Sequence, residues 1–149
     1  MFNVSFRVQT IIKAAPEAIF PLLADLTRHG EWSANPVQIE AVTKGTPQVG
    51  SVYRSAAQVN NLHFSAELTV NEYQPPLSFA FTGKDETGTF KHQFRLSPEP
   101  NGTRMERRVS FELSFRQWLM YCLLLFPVRL PAARKALRRL KEYVEAGQP

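Results

Sequence analysis

The sequence LHFSAELTVN, at residues 62 to 71, alternates apolar and polar side chains without interruption. Leu62, Phe64, Ala66, Leu68 and Val70 hold the even positions, and polar residues hold every odd one. Successive side chains of a β-strand point to opposite faces of the sheet, so this pattern is typical of a strand with one buried and one solvated face. The segment therefore predicts a sheet that covers a core on one side only.

The same alternation recurs on both sides of this segment. It predicts about seven strands in all, over residues 2–13, 37–43, 51–59, 62–71, 77–81, 90–96 and 105–115. Turn-forming residues separate the strands, for example at Pro75-Pro76 and from Ser97 to Gly102. The pattern predicts that consecutive strands pair antiparallel.

Helical signals are confined to residues 16–30 and residues 116–146. Pro16 suits a first helical position, and Pro127 and Pro131 interrupt the second region. The order of strand, helices, six strands and long helix predicts an α+β fold with the helices on one side of an antiparallel sheet. Without repeats or linkers, residues 1–149 are expected to form a single domain.

Composition narrows the class of protein. The chain has 149 residues, of which 44% are hydrophobic and 21% are charged, which excludes a disordered tail, a collagen-like repeat and a coiled coil. A single cysteine, Cys122, rules out an internal disulfide and cysteine-rich zinc sites. Because the first residues also lack a secretory leader pattern, a cytoplasmic location is expected.

Most phenylalanines fall on the face of the sheet that is predicted to be buried, here called the dry face. Nine of the eleven phenylalanines fall on it by parity, namely Phe2, Phe6, Phe64, Phe79, Phe81, Phe90, Phe94, Phe111 and Phe115. If the sheet curls around the terminal helix without closing, the interior forms an apolar cavity of the kind that holds small molecules. The alternative is a solid core, since a phenylalanine on a buried strand face needs no further explanation.

Two polar residues interrupt this dry face. His92 lies between Phe90 and Phe94, and Arg107 follows the same inward parity on the next strand. A hairpin that pairs Leu96 with Thr103 places His92 directly opposite Arg107. A buried guanidinium needs a carboxylate, backbone carbonyls, water or an acidic or carbonyl group of a ligand. The alternatives are an edge arginine that reaches solvent and a core histidine that donates to a backbone carbonyl.

The sequence lacks the residues that other common catalytic and metal-binding sites require. No two acids share the dry face, so a paired-carboxylate mechanism is not expected. His29, His63 and Cys122 do not form a plausible metal site, and no nucleotide-binding or nucleophile-elbow motif occurs. No metal and no cofactor is therefore predicted.

The second helical region consists of an apolar segment followed by a basic segment. Residues 118–126, WLMYCLLLF, carry no charge but are far too short to span a bilayer. The segment from Arg129 to the end of the chain carries six basic residues and two acids, which accounts for +4 of the net charge of +5. Trp118 to Lys141 could therefore contact an anionic membrane, or it could pack on the sheet with its basic residues in solvent. Nucleic acid is not expected, because exposed aromatic residues do not interleave with the basic ones.

Several local stretches resemble a known family. Residues 12–20 (IKAAPEAIF), Trp32, Val49-Gly50 and residues 73–76 (YQPP) occur in an order similar to that of the polyketide cyclase/dehydrase and lipid-transport family, in the START-like, helix-grip superfamily. The resemblance covers nearly the whole chain. It implies a curved seven-stranded antiparallel sheet that grips a long C-terminal helix around a hydrophobic pocket. Members of that family variously bind lipids, sterols, polyketides or quinones, and only some are catalysts.

Two functions are consistent with these features. The first is binding or carriage of a hydrophobic small molecule. The second is a cyclase/dehydrase-type enzyme acting on a carbonyl-rich substrate, in which His92 moves a proton and Arg107 stabilises an oxyanion. The oligomeric state is left open. The predicted ligand-binding residues are Tyr53, Phe64, Leu68, Phe79, Phe81, His92, Phe94, Arg107, Phe111 and Leu137.

Overall fold

The predicted antiparallel sheet is present in the computed structural model, which describes residues 1–59, 61–86 and 88–147. Within these residues seven strands form one sheet in the order β1-β7-β6-β5-β4-β3-β2, and every neighbouring pair is antiparallel. The strands are β1 (Phe2–Ile12), β2 (Val37–Ala41), β3 (Val52–Val59), β4 (Leu62–Gln74), β5 (Ser78–Asp85), β6 (Gly88–Glu99) and β7 (Gly102–Leu113).

The helices lie where the sequence predicts them, between β1 and β2 and after β7. The first region contains helix α1 (Pro16–Ala24) and a 3₁₀ helix (Leu26–Glu31). The second runs without a break through α2 (Phe115–Met120), a π-helical turn (Tyr121–Leu125) and α3 (Phe126–Glu145). The predicted α+β, helix-grip architecture is therefore confirmed.

Three predicted boundaries were wrong. The first helix does not continue to Gly30, because Asp25 leaves the helical conformation and its side chain accepts a hydrogen bond from Thr27 N. The last strand stops at Leu113, because Ser114 and Gln117 form a capping box that starts α2. The second helical region is not interrupted at its prolines, since helical conformation continues past Pro127 in the first turn of α3 and past Pro131 inside it.

The strand-face prediction was also wrong for two phenylalanines. Phe115 belongs to α2 and is 60% exposed, and Phe2, near the start of the edge strand β1, is 40% exposed. Their rings lie 5.9 Å apart at the surface. On the central strands Phe79, Phe81, Phe94 and Phe111 are buried, whereas Phe64 and Phe90 are half-buried.

The latter half of α3 is amphipathic and packs against the inner side of the sheet. Its buried residues are Ala133, Ala136, Leu137, Leu140 and Val144. Hydrogen bonds tie its end to β1: Lys141 Nζ donates to the Ile11 carbonyl, and Lys13 N donates to Glu145 Oε1. No helix among the described residues is long and apolar enough to cross a membrane.

Candidate functional site

A half-enclosed cavity of about 210 Å³ lies between the inner face of the sheet and the chain segment that leads from the 3₁₀ helix into β2. Phe64, Leu68, Phe81 and Phe90 supply apolar walls from β4, β5 and β6. The polar lining groups include His29, Ser33, Asn35, Ser55, Asp85, His92, Arg107 and Arg129. Only Arg129 comes from α3, so the amphipathic half of that helix fills its side of the sheet with core contacts instead of bordering this space.

A smaller cavity of about 130 Å³ adjoins the first. It lies towards α3, where Val128, Ala132 and Phe111 line it. Its wall shares five polar residues with the larger cavity, namely Ser33, Asn35, His92, Arg107 and Arg129. The cationic groups of the site are therefore concentrated between the two spaces, and the outer walls of both are largely apolar.

Arg107 is the central charge of this site. It projects inward from β7, and its guanidinium lies 5.8 Å from the ring centre of Trp32 and 5.5 Å from that of Phe94. Such cation–π contacts offset part of the cost of taking the charge out of water. No carboxylate among the described residues forms a salt bridge with it, and burial lowers the pKa of Arg107 to about 10. Arginine nevertheless stays charged at neutral pH.

Arg107 contacts His92, as the inward parity predicts, but not through the predicted register. The hairpin pairs Leu96 with Met105, so that Arg107 faces Phe94 and His92 faces Val109. The turn is shorter than predicted because β6 and β7 extend until Glu99 pairs with Gly102. Arg107 reaches His92 diagonally, and its Nη2 donates a hydrogen bond of 2.9 Å to His92 Nδ1.

This contact defines the chemical state of His92. A guanidinium can only donate, so Nδ1 accepts and the ring proton is on Nε2. The imidazole stacks on Phe81 with a centroid distance of 4.9 Å and an interplanar angle of 7°. Burial and the charge of Arg107 hold the pKa of His92 well below its usual range. His92 is therefore a neutral donor with its basic nitrogen already engaged.

A second buried histidine, His29, also lines the larger cavity. His29 Nε2 donates to the Leu23 carbonyl at 3.0 Å, and the ring contacts Trp32 with a centroid distance of 4.6 Å. Burial lowers the pKa of His29 to about 4, with Arg107 acting in the same direction. This histidine fixes the position of the 3₁₀ helix against the core while remaining neutral.

Arg129 adds a second cation beside the smaller cavity. Its guanidinium lies 4.8 Å from the ring centre of Phe111 and 6.0 Å from that of Tyr121. Burial lowers the pKa of Arg129, and electrostatic interactions with the Tyr121 hydroxyl and with Asp85 oppose that shift. The two arginines make the wall between the cavities electropositive.

Two residues that line the larger cavity carry buried donors without acceptors among the described residues. These donors are the indole Nε1–H of Trp32 and the Nε–H of Arg107. Trp32 is 2% exposed, so its indole cannot be solvated as at an open surface. Buried donors without acceptors cost free energy. The site is therefore short of an oxygen or another acceptor on the side of the cavity where its positive charge lies.

The ten predicted ligand-binding residues do not all meet at one space. Phe64, Leu68, Phe81, His92 and Arg107 line the larger cavity, and Phe111 lines the smaller one. The remaining four lie elsewhere: Phe79 and Phe94 in the solid core, Tyr53 beside a surface groove near Asp25, and Leu137 in the buried stripe of α3.

Sequence reasoning missed three important members of the site. His29 fell at the end of the predicted helix and Trp32 just beyond it, where no apolar periodicity marked either side chain as inward-facing. Arg129 was grouped with the solvent-facing basic residues of the last helix. Its spacing of four and seven residues from Ala133 and Ala136 places it on the buried stripe and could have identified it.

Among the described residues, no three histidine, cysteine, aspartate or glutamate side chains lie close enough together to hold a metal ion.

Comparison with known proteins gives the context of this fold. Residues 3–145 match the family model described as polyketide cyclase/dehydrase and lipid transport. A search of curated protein sequences finds no significant match.

Solved structures agree over almost the entire chain. Protein TTHA0849 from Thermus thermophilus superimposes with a TM-score of 0.77 at 19% identity, over 98% of this chain and 100% of its own. Ara h 8.0201 gives a TM-score of 0.72 at 14% identity, over 98% and 100%. Protein CV1439 from Chromobacterium violaceum gives 0.73 at 14% identity, over 95% and 97%. At these identities the likeness establishes the fold alone.

Proposed function

The chain belongs to the polyketide cyclase/dehydrase and lipid transport family, and on that premise we propose that it binds and carries a small hydrophobic molecule that bears an acidic or carbonyl group. The apolar part of the ligand occupies the larger cavity against Phe64, Phe81 and Phe90. Its oxygen faces Arg107 and Trp32. Membership of the family supports the binding of a hydrophobic ligand. The polar residues of this cavity support an acidic or carbonyl group on that ligand.

The pair of unpartnered donors carries the proposal. Trp32 and Arg107 line the same cavity, and the indole Nε1–H of Trp32 and the Nε–H of Arg107 find no acceptor among the described residues. The proposal is that one oxygen-bearing group accepts from both side chains, which lie close together: the guanidinium is 5.8 Å from the centre of the Trp32 ring. A carboxylate or sulfonate would also neutralise the charge of Arg107, so the gain is larger for an anion than for a neutral ligand.

The cavity volume limits the ligand that fits. Ligand pockets typically measure about 300–1,000 Å³, whereas this cavity measures about 210 Å³. The enclosed part of the ligand is therefore about the size of a fused aromatic ring system or a short acyl chain. A longer tail extends through the open side of the cavity.

Two matched fluorescent probes test this proposal. Anilinonaphthalene sulfonate and its uncharged parent phenylnaphthylamine share one aromatic body and differ in the anionic group. Both are expected to bind, the sulfonate more tightly. Arg107→Met is expected to weaken sulfonate binding at least about 30-fold and to change binding of the neutral probe far less.

Arg108→Met is the matched control, because Arg108 is the next residue of β7 and is exposed on the opposite face. Mass spectrometry of the gently purified protein then identifies a co-purified ligand. The proposal would be contradicted if neither probe bound. It would also be contradicted if Arg107→Met and Arg108→Met weakened sulfonate binding equally.

A second candidate function is a cyclase/dehydrase-type enzyme for a carbonyl-rich substrate. The observation that favours it is the 2.9 Å contact between Arg107 and His92 at the cavity wall. Arg107 would stabilise the developing oxyanion, and neutral His92 would donate a hydrogen bond from Nε2 to the same oxygen. A role of His92 as a base requires that Nδ1 first release the hydrogen bond from Arg107.

Turnover of linear polyketones that can cyclise to aromatic rings tests this second candidate. His92→Phe keeps the stacking on Phe81 and removes the proton, so an enzyme would lose about 10²-fold or more of its rate. A rate unaffected by both His92→Phe and Arg107→Met would remove these residues from any catalytic mechanism.

A further inference from the structure

The segment from α2 to the start of α3 exposes a contiguous set of large apolar side chains. Leu123 and Leu124 are the most exposed, at 67% and 65%. We call the set the apolar patch; it consists of Phe115, Leu119, Met120, Leu123, Leu124 and Phe126, each at least 38% exposed. Soluble proteins rarely leave such a set of side chains uncovered on one face of a helix.

The opposite face of the same segment packs on the protein. Tyr121 is 1% exposed and contacts Phe111 of β7 with a centroid distance of 4.8 Å. Trp118 stacks on Phe2 at 5.3 Å, with Phe115 at 6.0 Å from it. The helix is therefore anchored by one face, and the apolar patch ends in a cluster of aromatic rings at the surface.

The charged residues of the helical segment that carries the patch are all of one sign. From Phe115 to Lys141 the sequence contains seven arginine and lysine residues and no aspartate or glutamate. Four of these cations are exposed and form neither an ion pair nor a side-chain hydrogen bond among the described residues: Arg116, Arg134, Lys135 and Arg138. The surface beside the patch is therefore complementary to an anionic partner.

We propose that this face docks on the surface of an anionic lipid bilayer, with the apolar patch among the acyl chains and the four exposed cations at the headgroups. An apolar face flanked by cations is the combination that interfacial helices use. A second copy of the chain docked through the same face would bring two all-cationic segments together, which disfavours self-association. The proposal does not rest on ligand binding in the cavity.

Vesicle sedimentation provides the first test. The protein is expected to sediment with vesicles that contain phosphatidylglycerol, to bind pure phosphatidylcholine vesicles less, and to dissociate as salt rises from about 0.1 to about 0.5 M. The double variant Leu123→Ser/Leu124→Ser is expected to lower the partition coefficient at least about tenfold. Leu62→Ser/Leu77→Ser is the matched control, because these leucines are 55% and 48% exposed outside the patch.

The single cysteine provides the second test, because Cys122 is exposed within the segment that carries the patch. A nitrobenzoxadiazole label on Cys122 is expected to shift to the blue and brighten on phosphatidylglycerol vesicles. The same label on Cys122→Ser/Ser65→Cys is expected to stay unchanged, since Ser65 is exposed on a strand away from the helices.

Three outcomes would overturn the proposal. They are sedimentation that does not depend on anionic lipid, equal loss of binding in the leucine variant and its control, and a label on Cys122 that stays in water. A dimer in solution that Leu123→Ser/Leu124→Ser dissociates would also overturn it and assign the patch to a second copy. None of these results bears on probe binding in the cavity, so the two proposals fail separately.

Discussion

Replacement of Arg107 by methionine is expected to make the protein more stable and less able to bind an anion. Methionine keeps most of the length of the side chain and suits an apolar environment of rings. The variant removes the charge that the core holds without a carboxylate partner among the described residues. A group that serves the fold would instead give a less stable variant.

The magnitude follows from the pKa of the guanidinium. Burial lowers the pKa of Arg107 from 12.5 to about 10, and at about 1.4 kcal/mol per pKa unit the charge costs the folded state about 3 kcal/mol. The variant also loses the hydrogen bond to His92 and the two ring contacts, about 1–2 kcal/mol together. The net gain in unfolding free energy is about 1–2 kcal/mol, or roughly 2–8 °C in Tm.

Urea unfolding followed by circular dichroism measures the first quantity, and titration with anilinonaphthalene sulfonate measures the second. Arg108→Met is expected to change the unfolding free energy by less than about 0.5 kcal/mol, as for an ordinary surface site. Near-ultraviolet circular dichroism verifies that every variant keeps packed aromatic residues, since the probe also binds loosened proteins. Lower stability of Arg107→Met together with unchanged sulfonate affinity would refute the reasoning.

Three further predictions concern neighbouring residues. Stability is expected to fall as the pH drops from 6.5 towards 4, because the unfolded chain binds a proton that the folded protein excludes: burial lowers the pKa of His29 to about 4. The unfolding free energy lost through His29 is about 3 kcal/mol. His29→Gln is therefore expected to flatten the dependence of the urea midpoint on pH, and an unchanged dependence would contradict this role of His29. Gly83→Ala places a Cβ 2.2 Å from Phe90 Cζ, which displaces the ring into the cavity and is expected to weaken phenylnaphthylamine binding at a stability cost of about 1–3 kcal/mol; full binding would place the probe elsewhere. Tyr121→Phe removes a buried hydroxyl without an acceptor among the described residues and is expected to raise the unfolding free energy by about 1 kcal/mol in urea, whereas a loss would reveal a hydrogen bond.

The strands and their faces could be predicted because alternation is a local property. Residues 62–71 have the predicted strand conformation within β4. Phe115 shows where alternation fails, since it continues the strand pattern by parity but follows Ser114, which caps α2 together with Gln117. The spacing of a serine three residues before a glutamine was visible in the sequence and outweighs one more apolar residue at an even step.

The candidate site could be predicted only in part, because it depends on contacts between distant segments. Inward parity brought His92 and Arg107 together, and their hydrogen bond does not depend on the register that was wrong. The position of the cavity depends on which segment covers the sheet. The segment from Ser33 to Pro36 has no periodic pattern, yet it covers the cavity and helps to bring Trp32 against Arg107.

The energetic cost of Arg107 is itself an argument for function. A core selected for stability alone would hold an apolar residue at this position, because a buried charge without a counter-ion is among the most expensive groups in a fold. The cost extends to His29 and His92, whose pKa values are lowered first by burial and further by the nearby guanidinium. An anionic or carbonyl ligand would reverse part of this penalty on binding, so the same arginine that destabilises the empty protein would contribute affinity.

The helix that carries the apolar patch also supplies Arg129, about five residues or ~8 Å along the axis from Leu124. A bilayer docked at the patch would therefore lie next to the cationic wall, and an amphiphile leaving the lipid would meet its counter-charge after a short passage.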